Sequence, residues 1–228
     1  MEQQAINDPY YALIASLHGI TGLVIFITGL LQFILKKHGK IHRFIGKIYL
    51  YSWIVILVTG YYIGSIVIVA IVIMGFYLCV TGVRLAVLKG KPFTNIDKAI
   101  IVIAALIVLF MLGAAIVMTI KQNYTYAILA TFFGVLYGWI VGRDIVAYIL
   151  NKREKVFKNN YGKMTWYVNH LLRMQFSFVT AVGAFTAVQN VFGNTVLNFT
   201  LPAFAGFIVV RISKNYFIKK MNIVVTPY

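Results

Sequence analysis

Charged residues are scarce in this chain of 228 residues: Lys, Arg, Asp and Glu make up 11% of it, against roughly 25% in soluble domains. Hydrophobic residues make up 61%, and the mean hydropathy is +0.86. A soluble fold of this size needs far more polar surface to cover its core. The composition therefore excludes a disordered chain, argues against a soluble enzyme, and predicts a polytopic membrane protein.

Cysteine and acidic residues are also rare, and each shortage excludes a class of protein. The one cysteine, Cys79, lies in an apolar run, which excludes an intramolecular disulfide and a cysteine-based metal motif. The five acids leave a net charge of +16, but the basic residues lie in short loops, which indicates membrane topology rather than nucleic-acid binding. Residues 1–8 carry acid where a signal peptide needs basic residues, so no signal peptide is expected.

The apolar runs predict an all-α, polytopic bundle of seven transmembrane helices in a single membrane domain. The stretch 48–88 would be about 61 Å long as one helix, twice the ~30 Å hydrocarbon core, so it must hold two helices with a break at 60–65. Pro202 lies inside the last span, where a proline usually kinks a membrane helix without ending it. The predicted helices cover residues 10–35, 48–62, 66–88, 99–120, 127–150, 168–192 and 195–212.

Lysines and arginines are distributed very unevenly between the two sets of loops. Twenty of the 21 fall on the side that follows the first helix, and only Lys121 falls on the other. Because basic loops stay in the cytoplasm, this count predicts an N-terminus outside and a C-terminus in the cytoplasm. The expected location is a bacterial cytoplasmic (inner) membrane, where the longest loop, 151–167, lies as a basic stretch on the inner leaflet. The expected partner is the lipid bilayer, and no nucleic acid is expected.

Ionisable side chains within the spans are the candidates for chemistry, because they are costly to place in a bilayer. His18 lies toward the outer side of the first helix, on a face that it shares with Gly22, Ile25, Gly29 and Gln32. This small and polar face is expected to turn toward the bundle interior. Its role is either to admit a flat ligand beside His18 or simply to pack another helix.

A second group of ionisable residues is predicted at the cytoplasmic ends of helices 2 and 6. His42 and Arg43 open helix 2, with His38 in the loop before them, and His170 opens helix 6 with Arg173 one turn further on. The two histidines could ligate the iron of a b-type haem, with the arginines pairing its propionates. The group could equally form a pocket for an anion or lipid headgroup, or anchor the helix ends. Contact between helices 2 and 6 does not follow from the sequence.

Asp144, near the inner end of helix 5, is the only acid expected within the bundle. From there it can reach Arg173, His170 or Arg84 on another helix, as a structural ion pair or as a proton acceptor that orients a histidine. Two histidines and one acid are too few for a zinc hydrolase, which needs three ligands and an acid–base carboxylate. A di-haem cytochrome lacks ligands on the outer side, and an intramembrane protease lacks its acid dyad. No enzyme class is therefore assigned.

Two parts of the sequence resemble the signatures of a known family. The first has the pattern His-x3-Gly in helix 1 and His-Arg-x2-Gly-x2-Tyr entering helix 2; the second has a His before a Met and a small-residue helix that ends in Asn. Both are similar to a family of bacterial multipass proteins catalogued as a predicted membrane protein domain of unknown function. The matching stretches are Leu17–Gly22, Gly29–Phe33, Lys40–Tyr49, Trp166–Met174, Ser177–Phe185 and Asn190. The resemblance implies no activity, and it marks His18, His42, Arg43, Gly46, Tyr49 and His170.

The most concrete functional hypothesis is a redox protein that holds one haem b between His42 and His170. It would exchange electrons with a quinone, with His18 and Gln32 as polar groups on the path. One alternative is a protein that binds or transports a lipid headgroup or an anion. Another is an accessory subunit that docks a membrane protein partner through the glycine-bearing faces of helices 1 and 6.

Overall fold

The computed structural model describes residues 9–35, 39–64, 66–89, 91–149, 159–223 and 225–227. Within them, seven helices are long and apolar enough to cross a membrane, which confirms the all-α class and the number of candidate spans. They are α1 Pro9–Ile34, α2 Lys40–Ile63, α3 Ile66–Leu88, α4 Asn95–Ile120, α5 Tyr124–Ile149, α6 Thr165–Val188 and α7 Thr195–Lys220. The orientation of the termini across the membrane stays a prediction.

Two short elements lie at the end of the bundle where α6 begins. The strand β1 (Asn159–Asn160) pairs antiparallel with β2 (Thr226–Pro227), and a 3-10 turn, Gly162–Met164, leads into α6. Beside them, Ile223 of the C-terminal segment packs on Tyr161, before the 3-10 turn. His38 and residues 151–158 of the predicted basic loop lie outside the described residues.

The observed helix boundaries differ from the predicted ones at several ends. α2 begins at Lys40 instead of 48, α4 begins at Asn95 instead of 99, and α7 runs to Lys220 instead of 212. Hydropathy marks only the hydrocarbon crossing, whereas these helices continue through turns whose long basic side chains can reach water. α6 ends at Val188 instead of 192, and Asn190 just beyond it adopts a left-handed φ of 48° that stops the helix.

α3 is the central helix, packed against α2, α4, α5 and α6. The interior of the bundle is polar in places, and its outside is strongly apolar. Buried polar residues include Ser52, Thr59, Asn169, Gln175, Ser177 and Asn198, and exposed apolar residues include Leu13, Ile27, Val58, Leu109, Ile116 and Ile208. This distribution suits a bundle whose outer surface contacts lipid and whose polar side chains find partners inside.

Gly75 allows α2, α3 and α6 to approach closely near the middle of the bundle. A Cβ atom at Gly75 would lie 2.6 Å from the Trp53 ring and 2.8 Å from the Thr180 side chain. One turn away, the hydroxyls of Tyr49 on α2 and Ser177 on α6 are hydrogen-bonded at 3.0 Å. Helices 2 and 6, whose contact the sequence left open, therefore meet inside the bundle.

Pro202 lies within α7, and the helix continues past it. A proline has no N–H to donate to the carbonyl four residues earlier, which here belongs to Asn198. The Thr186 hydroxyl of α6 donates to that carbonyl at 2.5 Å. The Asn198 side chain also accepts from the Phe192 N–H and donates to Asn190, both at 2.9 Å. These bonds satisfy the polar groups around the proline, so the helix can continue in an apolar setting.

Candidate functional site

His18 lies between α1 and α2 and has a hydrogen-bond partner there. The Thr59 hydroxyl donates to the Val55 carbonyl at 2.7 Å, so its oxygen accepts from the His18 Nδ1–H at 2.8 Å. Further along the same face of α1, Gly29 is so close to Phe178 of α6 that a Cβ would lie 2.2 Å from the ring. This face of α1 is turned toward the interior, as the sequence predicted, and there it packs against α2 and α6.

His42 and Arg43 lie in the first turn of α2 but differ in their surroundings. Arg43 is exposed, whereas His42 is half-buried and its backbone carbonyl accepts from Gln32 Nε2 at 3.1 Å. On α6, His170 Nδ1 lies 2.8 Å from the Gly82 carbonyl of α3. Because a carbonyl can only accept, Nδ1 carries a proton, and in the neutral ring Nε2 carries the lone pair.

The hydrogen bond between Tyr49 and Ser177 relates the depths of the two histidines. His42 precedes Tyr49 by the same number of residues, seven, by which His170 precedes Ser177. α2 and α6 begin at the same end of the bundle, because both pack antiparallel to α3. Each histidine therefore lies two turns, about 10.5 Å along its helix, from this bond. This geometry agrees with the prediction that they share a depth.

Asp144 and Arg173 form an ion pair at the basic end of the bundle. Each side chain is only 11% exposed. The Tyr77 hydroxyl of α3 donates to the other carboxylate oxygen of Asp144, and the Arg173 guanidinium donates to Thr81 at 2.8 Å. The sequence left three possible partners for Asp144, and the structure shows an ion pair with Arg173. The pair ties α5 to α6, and its hydroxyl partners tie both to α3.

A second Arg–Asp pair joins α3 to the start of α4. Arg84 donates to both carboxylate oxygens of Asp97, at 3.0 and 2.9 Å, and to the Thr94 hydroxyl at 2.8 Å. The Thr94 N–H also donates to Asp97 at 2.8 Å, as in a capping box. Asp97 is buried, so the expectation that Asp144 is the only acid in the bundle is wrong. It failed because α4 begins a turn earlier than predicted and carries Asp97 inside.

A cavity of about 40 Å³ separates the two ion pairs. Since a water molecule needs about 10–15 Å³ on this measure, the cavity has room for about three. The charged pairs and one hydroxyl supply its polar lining, and apolar side chains complete the wall. The lining residues are Thr81, Arg84, Asp97, Asp144 and Arg173, with Leu85, Phe93, Ile101 and Ala147. The name Arg–Asp cavity is used below for this space.

Arg143 adds a further positive charge beside the Arg–Asp cavity. Its guanidinium lies 4.9 Å above the Trp139 ring, and it interacts electrostatically with both Asp144 and Arg173. The lining itself holds two arginines and two aspartates, whose charges cancel, and Arg143 adds one positive charge outside the lining. This neighbouring charge of Arg143 favours an anion over a cation.

Asp144 and Arg173 were candidate site residues from the sequence, whereas Tyr77, Thr81 and Asp97 were not recognised as parts of a site. Two features of the sequence could have identified these residues. Thr94 and Asp97 have the spacing of a capping box, which predicts a helix start before 99. Tyr77, Thr81 and Arg84 are spaced along one face of α3 within an otherwise apolar run. Which acid each arginine meets depends on the packing of four helices, and no spacing rule gives that.

Within the part of the chain that the structure describes, no group of three or more His, Cys, Asp or Glu side chains is placed to hold a metal ion. Comparison with family models, with curated proteins and with solved structures gives no match. This result is consistent with an uncharacterised family. The signatures themselves and the bacterial origin stay predictions.

Proposed function

We propose that this chain is an integral membrane protein that binds an anionic group in the Arg–Asp cavity. The observation that carries the proposal is the pair of ion pairs, Arg84–Asp97 and Asp144–Arg173, which four helices hold around one small cavity. A guanidinium offers paired N–H donors that match an oxyanion, which makes arginine the usual residue for carboxylate and phosphate recognition.

Stability alone is a weak reason for two such pairs. Replacing a buried ion pair by well-packed apolar residues is often neutral or stabilising, and ionisable groups at membrane depth usually mark a binding or transport site. A cavity also lies beside Asp144 and Arg173, although tighter packing of the four helices would have filled it. The cost of keeping these charges inside the bundle is accounted for if Arg84 and Arg173 also bind a ligand.

The size of the cavity limits the ligand to a few heavy atoms, such as a small oxyanion or the phosphate of a lipid headgroup reached from the bilayer. The twenty basic residues at the predicted cytoplasmic side would attract either of them. A soluble anion and a lipid headgroup would be recognised by the same arginine donors, so an experiment has to distinguish between these two ligands.

The test is a set of melting curves of the purified protein in detergent. One series adds sodium nitrate or sodium phosphate, with sodium chloride at equal ionic strength as the control. The other series adds phosphatidylglycerol, with phosphatidylcholine as the control. A ligand at ten times its Kd stabilises the folded state by about 1.4 kcal/mol, which raises the Tm of a chain of this size by about 3–6 °C.

Two arginine variants make the test specific. Arg84→Gln removes a lining cation, and Arg43→Gln removes the same charge from an exposed site on α2. We expect Arg84→Gln to weaken the effective anion or lipid at least tenfold and Arg43→Gln to leave it unchanged. The proposal fails if neither anions nor phosphatidylglycerol shift the Tm of the folded wild type, or if the two variants behave alike.

A second candidate function is the redox hypothesis, and the histidine geometry favours it. His42 and His170 lie two turns from the same hydrogen bond, on two helices that this side-chain bond joins. His170 donates Nδ1–H to a backbone carbonyl, the bond that commonly orients a histidine for ligation through Nε2. A haem would supply one-electron chemistry there, and a quinone would be its partner.

A reduced-minus-oxidised visible spectrum tests the redox candidate. Soret and alpha bands at one haem per chain, lost in His42→Ala and in His170→Ala, would support it. His18→Ala is the matched control, because His18 bonds to Thr59 on the other half of the bundle and should leave the bands intact. A flat spectrum from folded protein supplied with haem would overturn the candidate.

A further inference from the structure

The ion pair between Asp144 and Arg173 faces the Arg–Asp cavity, so a ligand that enters meets groups that already bind each other. We propose, on the basis of the anion site proposed above, that this cavity binds a small monovalent oxyanion together with one proton, and that the Asp144 carboxylate receives the proton. The class of ligand is a planar or near-planar anion of three or four heavy atoms, such as nitrate, bicarbonate or a short carboxylate.

A ligand in the cavity would compete with Asp144 for Arg173. Its guanidinium donates through one nitrogen to Thr81 and through the other to Asp144. A guanidinium has five N–H groups, and the proposed oxyanion takes the one on Nη2 that now serves Asp144, so it displaces Asp144 from Arg173. The incoming anion would replace Asp144 and would meet the same donors, which is why a carboxylate-like anion fits the site.

The two aspartates are not equally able to release their arginines. Asp97 is held by both guanidinium donors of Arg84, by the Thr94 N–H and by the Thr94 hydroxyl at 2.8 Å. Among the residues that the structure describes, Asp144 accepts hydrogen bonds from Arg173 and Tyr77. The exchange therefore occurs at Asp144, while the Arg84–Asp97 pair stays in place as the opposite wall of the cavity.

The charges around Asp144 explain why a proton would bind together with the anion. Arg143 lies beside it in the chain, Arg173 and Tyr77 contact it from α6 and α3, and the paired Arg84 and Asp97 face it across the cavity. His170 lies one turn before Arg173 and is hydrogen-bonded to α3. When an anion occupies Arg173, Asp144 has a second negative charge next to it in a buried setting. Protonation removes that repulsion.

The Tyr77 hydroxyl can accommodate both forms of Asp144. It donates to the carboxylate when the site is free, and its oxygen can accept from the carboxylic acid once a proton has been taken up. No other group has to change its charge. The balance is one anion and one proton entering together, so by linkage the anion binds more tightly as the pH falls.

The experiment uses purified protein in detergent and sodium nitrate as the probe, because nitrate remains ionised across the pH range tested. Nitrate affinity is measured between pH 8 and pH 5 from Tm shifts at constant ionic strength. We expect the nitrate Kd to decrease as the pH is lowered over part of this range. The decrease is at most about tenfold per pH unit, because one proton binds with each anion. Adding nitrate to weakly buffered protein should raise the pH of the solution, since protons are taken up.

Two variants locate the proton. Asp144→Asn should bind nitrate with no pH dependence and without proton uptake, whereas Asp97→Asn, the matched change on the opposite wall, should keep the pH dependence. The inference is overturned if nitrate binds to the wild type equally at every pH, or if only phosphatidylglycerol binds; both results would leave the anion site itself standing. If folded wild type responds to neither, the anion site and the coupled proton fail together.

Discussion

At the scale of single residues, the Asn198 carbonyl shows how a membrane helix tolerates a proline. The sequence predicted that α7 would pass through Pro202, but it could not show what satisfies the carbonyl that the proline leaves without its backbone donor. The donor is Thr186, a residue of the preceding helix, reached across the α6–α7 connection. Hydrogen bonds of this kind in membrane proteins contribute roughly 0.6 kcal/mol on average and up to about 1.7 kcal/mol.

The role of Thr186 can be measured with a double-mutant cycle. Thr186→Val keeps the shape of the side chain and removes the donor, so we expect it to lower the free energy of unfolding by about 1 kcal/mol. Pro202→Ala restores a backbone N–H that can reach Asn198, so in that background Thr186→Val should cost less than half as much. Unfolding in a denaturing detergent gives the values. Equal costs in both backgrounds would show that the Thr186 bond does not compensate for the proline.

At the scale of the helix, the polar face of α6 was predictable and its partners were not. Helical periodicity grouped His170, Arg173, Ser177 and Thr180, and the structure turns all four inward. Their partners come from α2, α3 and α5, elements far apart in sequence. Periodicity identifies which residues share a face of one helix. Predicting a contact also requires the rotation of two helices about their axes and their shift relative to each other. For the same reason Arg84 was considered as a partner for Asp144, while its partner on α4, Asp97, was missed.

The close crossing of α2, α3 and α6 at Gly75 leads to a second prediction. Gly75→Ala places a methyl group against the buried Trp53 ring and the Thr180 side chain, so we expect a loss of about 1–3 kcal/mol in stability. Gly113→Ala is the matched control on α4, where no atom lies within 4 Å of the added carbon apart from its chain neighbours and the nearby backbone of α4. There the change should be neutral or should stabilise the helix by up to about 1 kcal/mol.

Melting curves of the two glycine variants in one detergent give the comparison. A Tm below that of the wild type for Gly75→Ala, with no drop for Gly113→Ala, is the expected pattern. If both variants melt like the wild type, the three helices do not pack as closely at Gly75 as the structure places them.

At the scale of the whole molecule, composition alone was enough for the class of fold. Seven apolar stretches of sufficient length gave seven helices, because a helix is the solution open to a single apolar segment in lipid. The site was less accessible to sequence reasoning, since it is built from the ends of four helices and depends on how they pack together. Charge distribution adds a further whole-molecule property, the orientation of the bundle, and there the twenty basic residues on one side make a strong prediction.

That orientation can be tested with two matched lysines. Cys79 is the single cysteine and is buried, so Cys79→Ser provides a background without thiols. Lys91→Cys and Lys121→Cys then place one exposed thiol each in the α3–α4 and α4–α5 connections, at opposite ends of α4. A membrane-impermeant maleimide added to intact cells should label Lys121→Cys and should reach Lys91→Cys only after the membrane is opened. The opposite labelling would place the Arg–Asp cavity at the outer face and would require its anion to come from outside the cell.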